Sequence, residues 1–357
     1  MPPADVPGLL LINLGTPQAP RIPEVRRYLR EFLSDWRVLD VPWPVRWAVL
    51  HLAILPRRPR ASAHAYTKIW TPEGSPLRVH GRELVRKVQQ RLGASAKVEL
   101  AMRYGTPSIT EAMRSLERQG IRRIVVFPLY PQHSSAATGS SLEAVFAAAS
   151  RLWNVPRLQI VPPFYDDPRY IDCFTEVAAP VLREIDAELV FFSFHGLPER
   201  QIRKSDPTGS YCLARPDCCE RAAAEHPEVL AECYRAQCVA TARLIGDKLG
   251  IPSERRIVCF QSRLGRTPWI RPFTDLEVRD AAARGVKRAV ILVPSFVADC
   301  LETLEEIGLR AVDDWKAHGG ETLRMVPSLN AADSWADAVV GIARDASSWV
   351  PRPEARA

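Results

Sequence analysis

Three stretches of this sequence combine residue types and spacings that suit proton transfer or metal binding. In SFHGLPER (Ser193–Arg200), a histidine stands where an apolar run, ELVFFSF (Glu188–Phe194), gives way to a Gly–Leu–Pro turn. Open parallel sheets bind ligands at the carboxyl ends of their strands, so His195 at such an end faces a ligand rather than the core. The plainer alternative is a histidine satisfied by hydrogen bonds within its own turn. The second stretch is ADCLETLEEIG (Ala298–Gly308). As a helix it puts Glu302 and Glu306 at i and i+4 on one face, with Asp299 one turn before Glu302. Like charges that close raise one another's pKa and keep a carboxyl able to exchange protons near neutral pH. The alternative is a solvated first turn that only complements the helix dipole.

The third stretch is rich in cysteine. Five of the eight cysteines, Cys212, Cys218, Cys219, Cys233 and Cys238, follow the spacing C-x5-CC-x13-C-x4-C. In a cytosolic chain such crowding argues for metal rather than disulfides. Four thiolates suit either a structural zinc or a [2Fe–2S] cluster. Tyr234, Cys238, Thr241, Ile245 and Leu249 form a helical stripe, so Cys238 is expected to face the core. That leaves Cys212, Cys218, Cys219 and Cys233 as the preferred set, with Cys238 as the substitute. Cys173 and Cys259 read as small buried apolar residues.

The elements that must position these groups are legible as strand-like apolar runs: Gly8–Gly15, Lys97–Tyr104, Arg122–Tyr130, Arg157–Phe164, Glu188–Gly196, Arg256–Ser262, Arg288–Phe296 and Thr322–Leu329. Amphipathic stretches such as Ile109–Gln119 and Asp275–Arg284 lie between them, the alternation of parallel βαβ units. The two halves of the series resemble each other. LINLGTP (Leu11–Pro17) aligns with FFSFHGLP so that Gly15 and Pro17 fall on Gly196 and Pro198, and GIRRIVVFPLY (from Gly120) aligns with GVKRAVILVPSF (from Gly285). The expected fold class is α/β. It consists of two similar Rossmann-like domains, each a doubly wound four-stranded parallel sheet, with the active-site cleft between them at the strand ends. Residues 1–172 are assigned to the first domain, 173–330 to the second and 331–357 to a C-terminal helix and tail.

In each half the connection from first to second strand is longer than a βαβ unit needs. The second-half excess is the cysteine insert, residues 211–238. The first-half excess is a lip over residues 28–56, which sets Trp36, Trp43, Trp47 and several leucines among arginines. Such a segment suits a bilayer interface or a cover over a flat apolar ligand. The alternative is an ordinary core helix pair.

Composition narrows the function classes. The chain has 357 residues, 46% of them hydrophobic, enough for two medium cores. The start, MPPADVPGLLLINLG, has no basic n-region and reads as a first strand rather than a signal peptide. Arg46 and His51 interrupt the longest apolar segment, well short of the roughly 18 apolar residues a span requires. A cytoplasmic protein with peripheral membrane contact is expected, and disorder only in the tail at Pro351–Ala357. A formal net charge of +7 suits an anionic substrate or membrane surface. Nucleic acid is not an expected partner, because the basic residues form no long run and no reader motif.

Six motifs together resemble ferrochelatase, which inserts ferrous iron into a porphyrin late in haem synthesis. They are SFHGLPER, ADCLETLEEIG, PLYPQHSSAATGSS (Pro128–Ser141), KIWTPEGSPL (Lys68–Leu77), MRYGTPSI (Met102–Ile109) and QSRLGRTPWIRP (Gln261–Pro272). The resemblance runs from about Gly8 to Asn330. It implies that His195 is the active-site histidine and Glu302 its partner across the macrocycle, both able to meet iron. It also implies that Asp299 and Glu306 form an acidic relay leading away, and that Arg103, Tyr104, Tyr130 and Trp269 line the cleft. Ser75 and Tyr66, with Arg58, match positions that hold the porphyrin propionates. The lip matches the family's hydrophobic lip, which implies contact with the inner face of the cytoplasmic membrane.

The reaction explains such a set. Two pyrrole N–H protons must leave and a dication must enter a flat ring, so exchangeable ligands such as imidazole and carboxylate suit it, whereas a soft thiolate cage would trap the metal. Two departures stand out. Cys300 occupies a position that is His in many relatives. Ser135 stands where animal members place a cluster cysteine, and no cysteine follows Cys300. Because the family elsewhere carries a [2Fe–2S] cluster, the resemblance favours a cluster over zinc, built from the internal insert. The rival functions are a coproporphyrin or cobalt chelatase of the same fold and a non-catalytic haem or iron–sulfur sensor. A sensor would be expected to lack His195 or Glu302.

Overall fold

The computed structural model describes residues 6–265 and 267–350. The chain divides into two compact units. Unit one takes the chain up to Tyr130, Ser135–Pro163 and the stretch from Asn330; unit two takes Pro131–Ser134 and Phe164–Leu329. The boundary expected after residue 172 falls inside the Pro168–Ile185 helix, which belongs whole to unit two. The start of that helix is marked by Asp167, whose side chain caps it, and by Pro168 in its first turn. The C-terminal helix Asp333–Ala346 belongs to unit one, where Trp335 is fully buried and Arg91 pairs with Asp337 at 2.5 Å. Pro351–Ala357 lies outside the described residues.

Unit one holds the strands β1 (Gly8–Gly15), β2 (Lys97–Tyr104), β3 (Arg123–Pro128) and β4 (Arg157–Ile160), all parallel, in the order β2-β1-β3-β4. Unit two repeats this with β5 (Leu189–His195), β6 (Arg256–Gln261), β7 (Arg288–Leu292) and β8 (Thr322–Met325), in the order β6-β5-β7-β8. The two sheets therefore share one topology, as the internal duplication requires. The central strands are apolar on both faces, the mark of a parallel sheet covered on both sides by helices. Leu9 to Ile12 and Phe191, Phe192 and Phe194 are fully enclosed. Local signals agree: Ser108 and Glu111 form a reciprocal capping box at the Ile109–Arg118 helix.

The end of β1 shows why it must close on glycine. Gly15 has φ +119°, and a Cβ there would run into the Tyr104 carbonyl on β2. Its own carbonyl accepts the Tyr28 hydroxyl at 3.1 Å, which seats the Ile22–Ser34 helix over the sheet edge.

The spacing of ADCLETLEEIG predicts an α-helix. The chain instead forms a π-helix over Glu302–Ala311. Thr303 organises its start, accepting the Cys300 N–H at 3.0 Å and donating to Asp299 at 2.9 Å. A π turn also follows β3, at Ser135–Gly139, the position related to this one by the duplication. Turns of this kind are rare and concentrate at functional sites.

The lip divides in two. Tyr28, Leu29, Leu33, Leu50 and Ile54 are buried, as the core-helix alternative requires. Trp36, Trp43, Trp47 and Leu52 are instead 48%, 67%, 49% and 66% exposed. Among the described residues no helix is long and apolar enough to cross a membrane.

Candidate active site

His195 ends β5 in unit two. Its main-chain N–H donates to Ser295 Oγ at 3.2 Å and its carbonyl accepts the Tyr234 hydroxyl at 2.9 Å. The Gly196 N–H donates to the Gln261 carbonyl at 2.7 Å. The peptide joining His195 to Gly196 is thus held on both edges. On the ring, Nδ1 lies 2.6 Å from the Gly196 carbonyl oxygen. A carbonyl only accepts, so the neutral imidazole carries its proton on Nδ1, and among the described residues no hydrogen bond engages the Nε2 lone pair. The local-satisfaction reading therefore accounts for one ring nitrogen and leaves the other for chemistry.

Gln261 ties this strand end to the acidic turn. It pairs with His195 across β5 and β6, accepts from Ser193 through Oε1 at 2.8 Å and donates through Nε2 to the Glu302 carbonyl at 2.8 Å. The next residue, Ser262, adopts φ +67° and gives both its N–H (3.0 Å) and its hydroxyl (2.5 Å) to the Glu306 carboxylate. Burial raises the Glu306 carboxyl above the usual range. The Ser262 hydrogen bond and the charges of Arg310 and His195 oppose that rise, and the like charge of Glu302 adds to it. Glu306 therefore lies within electrostatic reach of both His195 and Glu302. Asp299 is buried and accepts from the Thr303 hydroxyl, with the Ser328 N–H at 3.4 Å. Trp269 forms a main-chain bridge with Pro198 and lies against Gly196, where a Cβ would stand 3.3 Å from its ring.

In unit one, Arg103 and Tyr104 end β2 and converge on Asp35, a residue the sequence reading did not single out. The Asp35 carboxylate accepts from Arg103 at 2.7 Å, Tyr104 at 2.9 Å and Ser140 at 2.5 Å. Burial alone would raise this carboxyl. Hydrogen bonds from Ser140, the Arg37 N–H and Tyr104, with the Arg103 charge, hold it below the usual value. Tyr104 is fully enclosed, so it supports Arg103 from behind. Tyr130 lies two residues beyond β3, with its hydroxyl 3.2 Å from Ser141. Ser75 is buried, stands at the N-cap position of the Pro76–Leu92 helix without a side-chain capping bond and accepts from Thr16 at 2.7 Å, which leaves its own O–H to donate. Tyr66 is buried edge-on to Trp70, whereas Arg58 is exposed on the same Leu55–Ile69 helix.

Cys212, Cys218, Cys219 and Cys233 line one cavity of unit two with Val229 and Arg235. Cys238 is fully buried elsewhere on the Tyr234–Lys248 helix, as its stripe predicts. The Cys218 and Cys219 sulfurs are 3.9 Å apart, and Arg235 Nη1 lies 3.0 Å from the latter. Asp206 accepts the Cys212 N–H at 2.7 Å and so fixes the first cysteine. Hydrogen bonds from Cys212 and Cys219 push the Cys233 thiol well below its usual value against the effect of burial. Among the described residues no three His, Cys, Asp or Glu side chains converge in a metal-binding geometry. The four sulfurs share one pocket without forming a finished cage, and thiols are soft donors.

The profile of the ferrochelatase family matches residues 6–347. A ferrochelatase of Coxiella burnetii (strain CbuG_Q212) is 45% identical over 337 residues, covering 94% of this chain and 93% of the relative. One from Pseudomonas fluorescens (strain Pf0-1) is 46% identical over 335 residues, covering 93% and 96%. Among solved structures, one described as SirB from Bacillus subtilis with Fe3+ superposes with a TM-score of 0.52 at 16% identity, over 77% of this chain and 92% of that one; at that identity it speaks for the fold alone. With a family match over nearly the whole chain and relatives of this identity and coverage, the chain belongs to the ferrochelatase family, enzymes of haem synthesis that insert ferrous iron into a porphyrin.

Proposed function

We propose that this ferrochelatase acts on protoporphyrin IX, and that His195 and Glu302 carry the chemistry. The observation that carries the reading is the Nδ1 contact of His195 with the Gly196 carbonyl, which leaves Nε2 free at a strand end. Insertion exchanges two pyrrole protons for Fe2+. A free imidazole lone pair and a carboxylate can each take a proton or pass a dication, since both exchange readily. Glu306, raised by burial and fixed by Ser262, suits onward transfer of a proton from Glu302. Asp299 is assigned to the far end of that line. Ser75, with a donor to spare, and Tyr66 and Arg58 on the preceding Leu55–Ile69 helix suit the propionate carboxylates. Arg103, Tyr104, Tyr130 and Trp269 are assigned to the macrocycle's surroundings. The test is turnover with Fe2+ or Zn2+ on protoporphyrin and coproporphyrin side by side; a clear preference for coproporphyrin would replace the proposed substrate.

The same reading gives the cysteine pocket a [2Fe–2S] cluster held by Cys212, Cys218, Cys219 and Cys233. Such a cluster would supply folding free energy to the insert and a one-electron redox centre. Purified protein is expected to be reddish brown, with about two irons and two sulfides per chain. Serine at any of the four should bleach and destabilise it, whereas serine at Cys238 should be milder. Colourless, active protein with stoichiometric zinc would overturn the cluster.

Peripheral membrane contact through the lip is supported by the exposure of Trp36, Trp43 and Trp47 beside arginines. The protein is expected to sediment with anionic liposomes, less so as salt rises. Replacing the three tryptophans by serine should remove most of that binding. Unchanged binding would leave the lip with no such role.

A further inference from the structure

Tyr234 joins two features that the sequence keeps apart. Its hydroxyl donates to the His195 carbonyl at 2.9 Å, and it is the first residue of the Tyr234–Lys248 helix. The residue before it, Cys233, sets where that helix begins. The Cys233 N–H donates to the Val229 carbonyl at 2.7 Å, its carbonyl accepts the Gln237 N–H at 3.1 Å, and the residue lines the four-cysteine cavity. The helix is pinned further along. Gln237 Oε1 accepts the His133 N–H at 2.6 Å, Thr241 donates to the Tyr165 carbonyl at 2.9 Å, and Gln132 donates to Thr241 at 3.0 Å. A displacement of Cys233 is therefore passed to Tyr234 rather than absorbed by sliding of the whole helix.

We propose that Tyr234 is a positioning residue for His195 and the route by which the four-cysteine pocket bears on the imidazole. The proposal rests on the reading of His195 as catalytic. It needs the pocket's sulfurs but not the identity of what they hold. Tyr234 grips the His195–Gly196 peptide on one edge, opposite the Gln261 carbonyl on the other. With that grip gone, the His195–Gly196 peptide can turn, the Gly196 Cα and the carbonyl it carries shift relative to Nδ1, and the ring loses the bond that fixes its tautomer and aim.

The test compares Tyr234→Phe, Cys233→Ser and the double variant in the full chain. Phenylalanine keeps the packing and removes only the hydroxyl. Tyr234→Phe is expected to lower kcat about tenfold, the usual effect of one hydrogen bond, with KM unchanged. The His195 ring 15N resonances, assigned by their loss in His195→Ala, should move toward a tautomer mixture. Cys233→Ser should lower kcat in the native background but change it less than about twofold once the hydroxyl is absent. Native kcat with unmoved ring resonances in Tyr234→Phe, or losses that simply multiply in the double variant, would overturn the proposal. An active His195→Ala enzyme would instead sink the reading beneath it, and iron and sulfide content reports the cluster separately.

Discussion

Replacing His195 by alanine is expected to reduce metal insertion by at least about a thousandfold, within the range for loss of a proton-transfer group. The fold should survive. The N–H to Ser295 and the carbonyl from Tyr234 are main-chain contacts that alanine retains, as is the Gly196 N–H to Gln261. What disappears is the ring, whose polar contact is with its neighbour's carbonyl, so little packing goes with it. Zinc insertion followed by product fluorescence measures turnover, and quenching titrations measure porphyrin binding, which should stay within a few-fold of the native value. Near-native turnover would remove His195 from the chemistry and leave its Nε2 without a role.

The strands were legible because their ends are chemical events. Three of the apolar runs overshoot the observed strands toward proline: β4 ends before Pro162, β7 before Pro294 and β8 before Pro327, each a residue that lacks the N–H a ladder needs. The common strand order followed from the duplication. The π-helices were not legible, since they are rare and the i, i+4 placement of Glu302 and Glu306 is what an α-helix would also give. The lip was legible only in part. Tyr28, Leu29 and Leu33 sit on a helix face turned to the core, while the tryptophans beyond them do not, and composition alone does not separate the two.

At the site, position along the elements did most of the work. His195 is the last residue of a buried strand, and the cysteine stripe separated Cys238 from the other four. Residues that act through their surroundings escaped. Asp35 lies within the lip sequence, where the tryptophans were the louder signal, and only the fold brings it to Arg103 and Tyr104. Ser262 lies in the QSRLGRTPWIRP motif, but its grip on Glu306 depends on a left-handed backbone that an L-serine gives no sign of adopting. A neutralising Asp35 also changes what Arg103 can do. Its charge is already partnered by the Asp35 carboxylate at 2.7 Å.

Glu302→Gln should lower turnover by at least about a hundredfold, again the scale of a lost proton-transfer group. The substitution keeps shape and leaves the main-chain carbonyl free to accept from Gln261, so the start of the π-helix should hold. The charge is what goes, and Glu306 should register it. Its carboxyl stands above the usual 4.5 because of burial, with the like charge of Glu302 as a smaller contribution. A raised acid pKa means the folded state binds more protons, so the Glu306 contribution to stability is present at low pH and is lost as pH rises through its folded value. Removing the neighbouring charge lowers that value and shrinks the loss. Glu302→Gln is therefore expected to be slightly more stable than the native protein at neutral pH and indistinguishable from it near pH 4, while being nearly inactive throughout. Urea unfolding at the two pH values tests the first part and zinc insertion the second. An unchanged rate would reduce the acidic turn to local structure, and a destabilised variant at neutral pH would mean that Glu302 is held by a partner rather than crowded by Glu306.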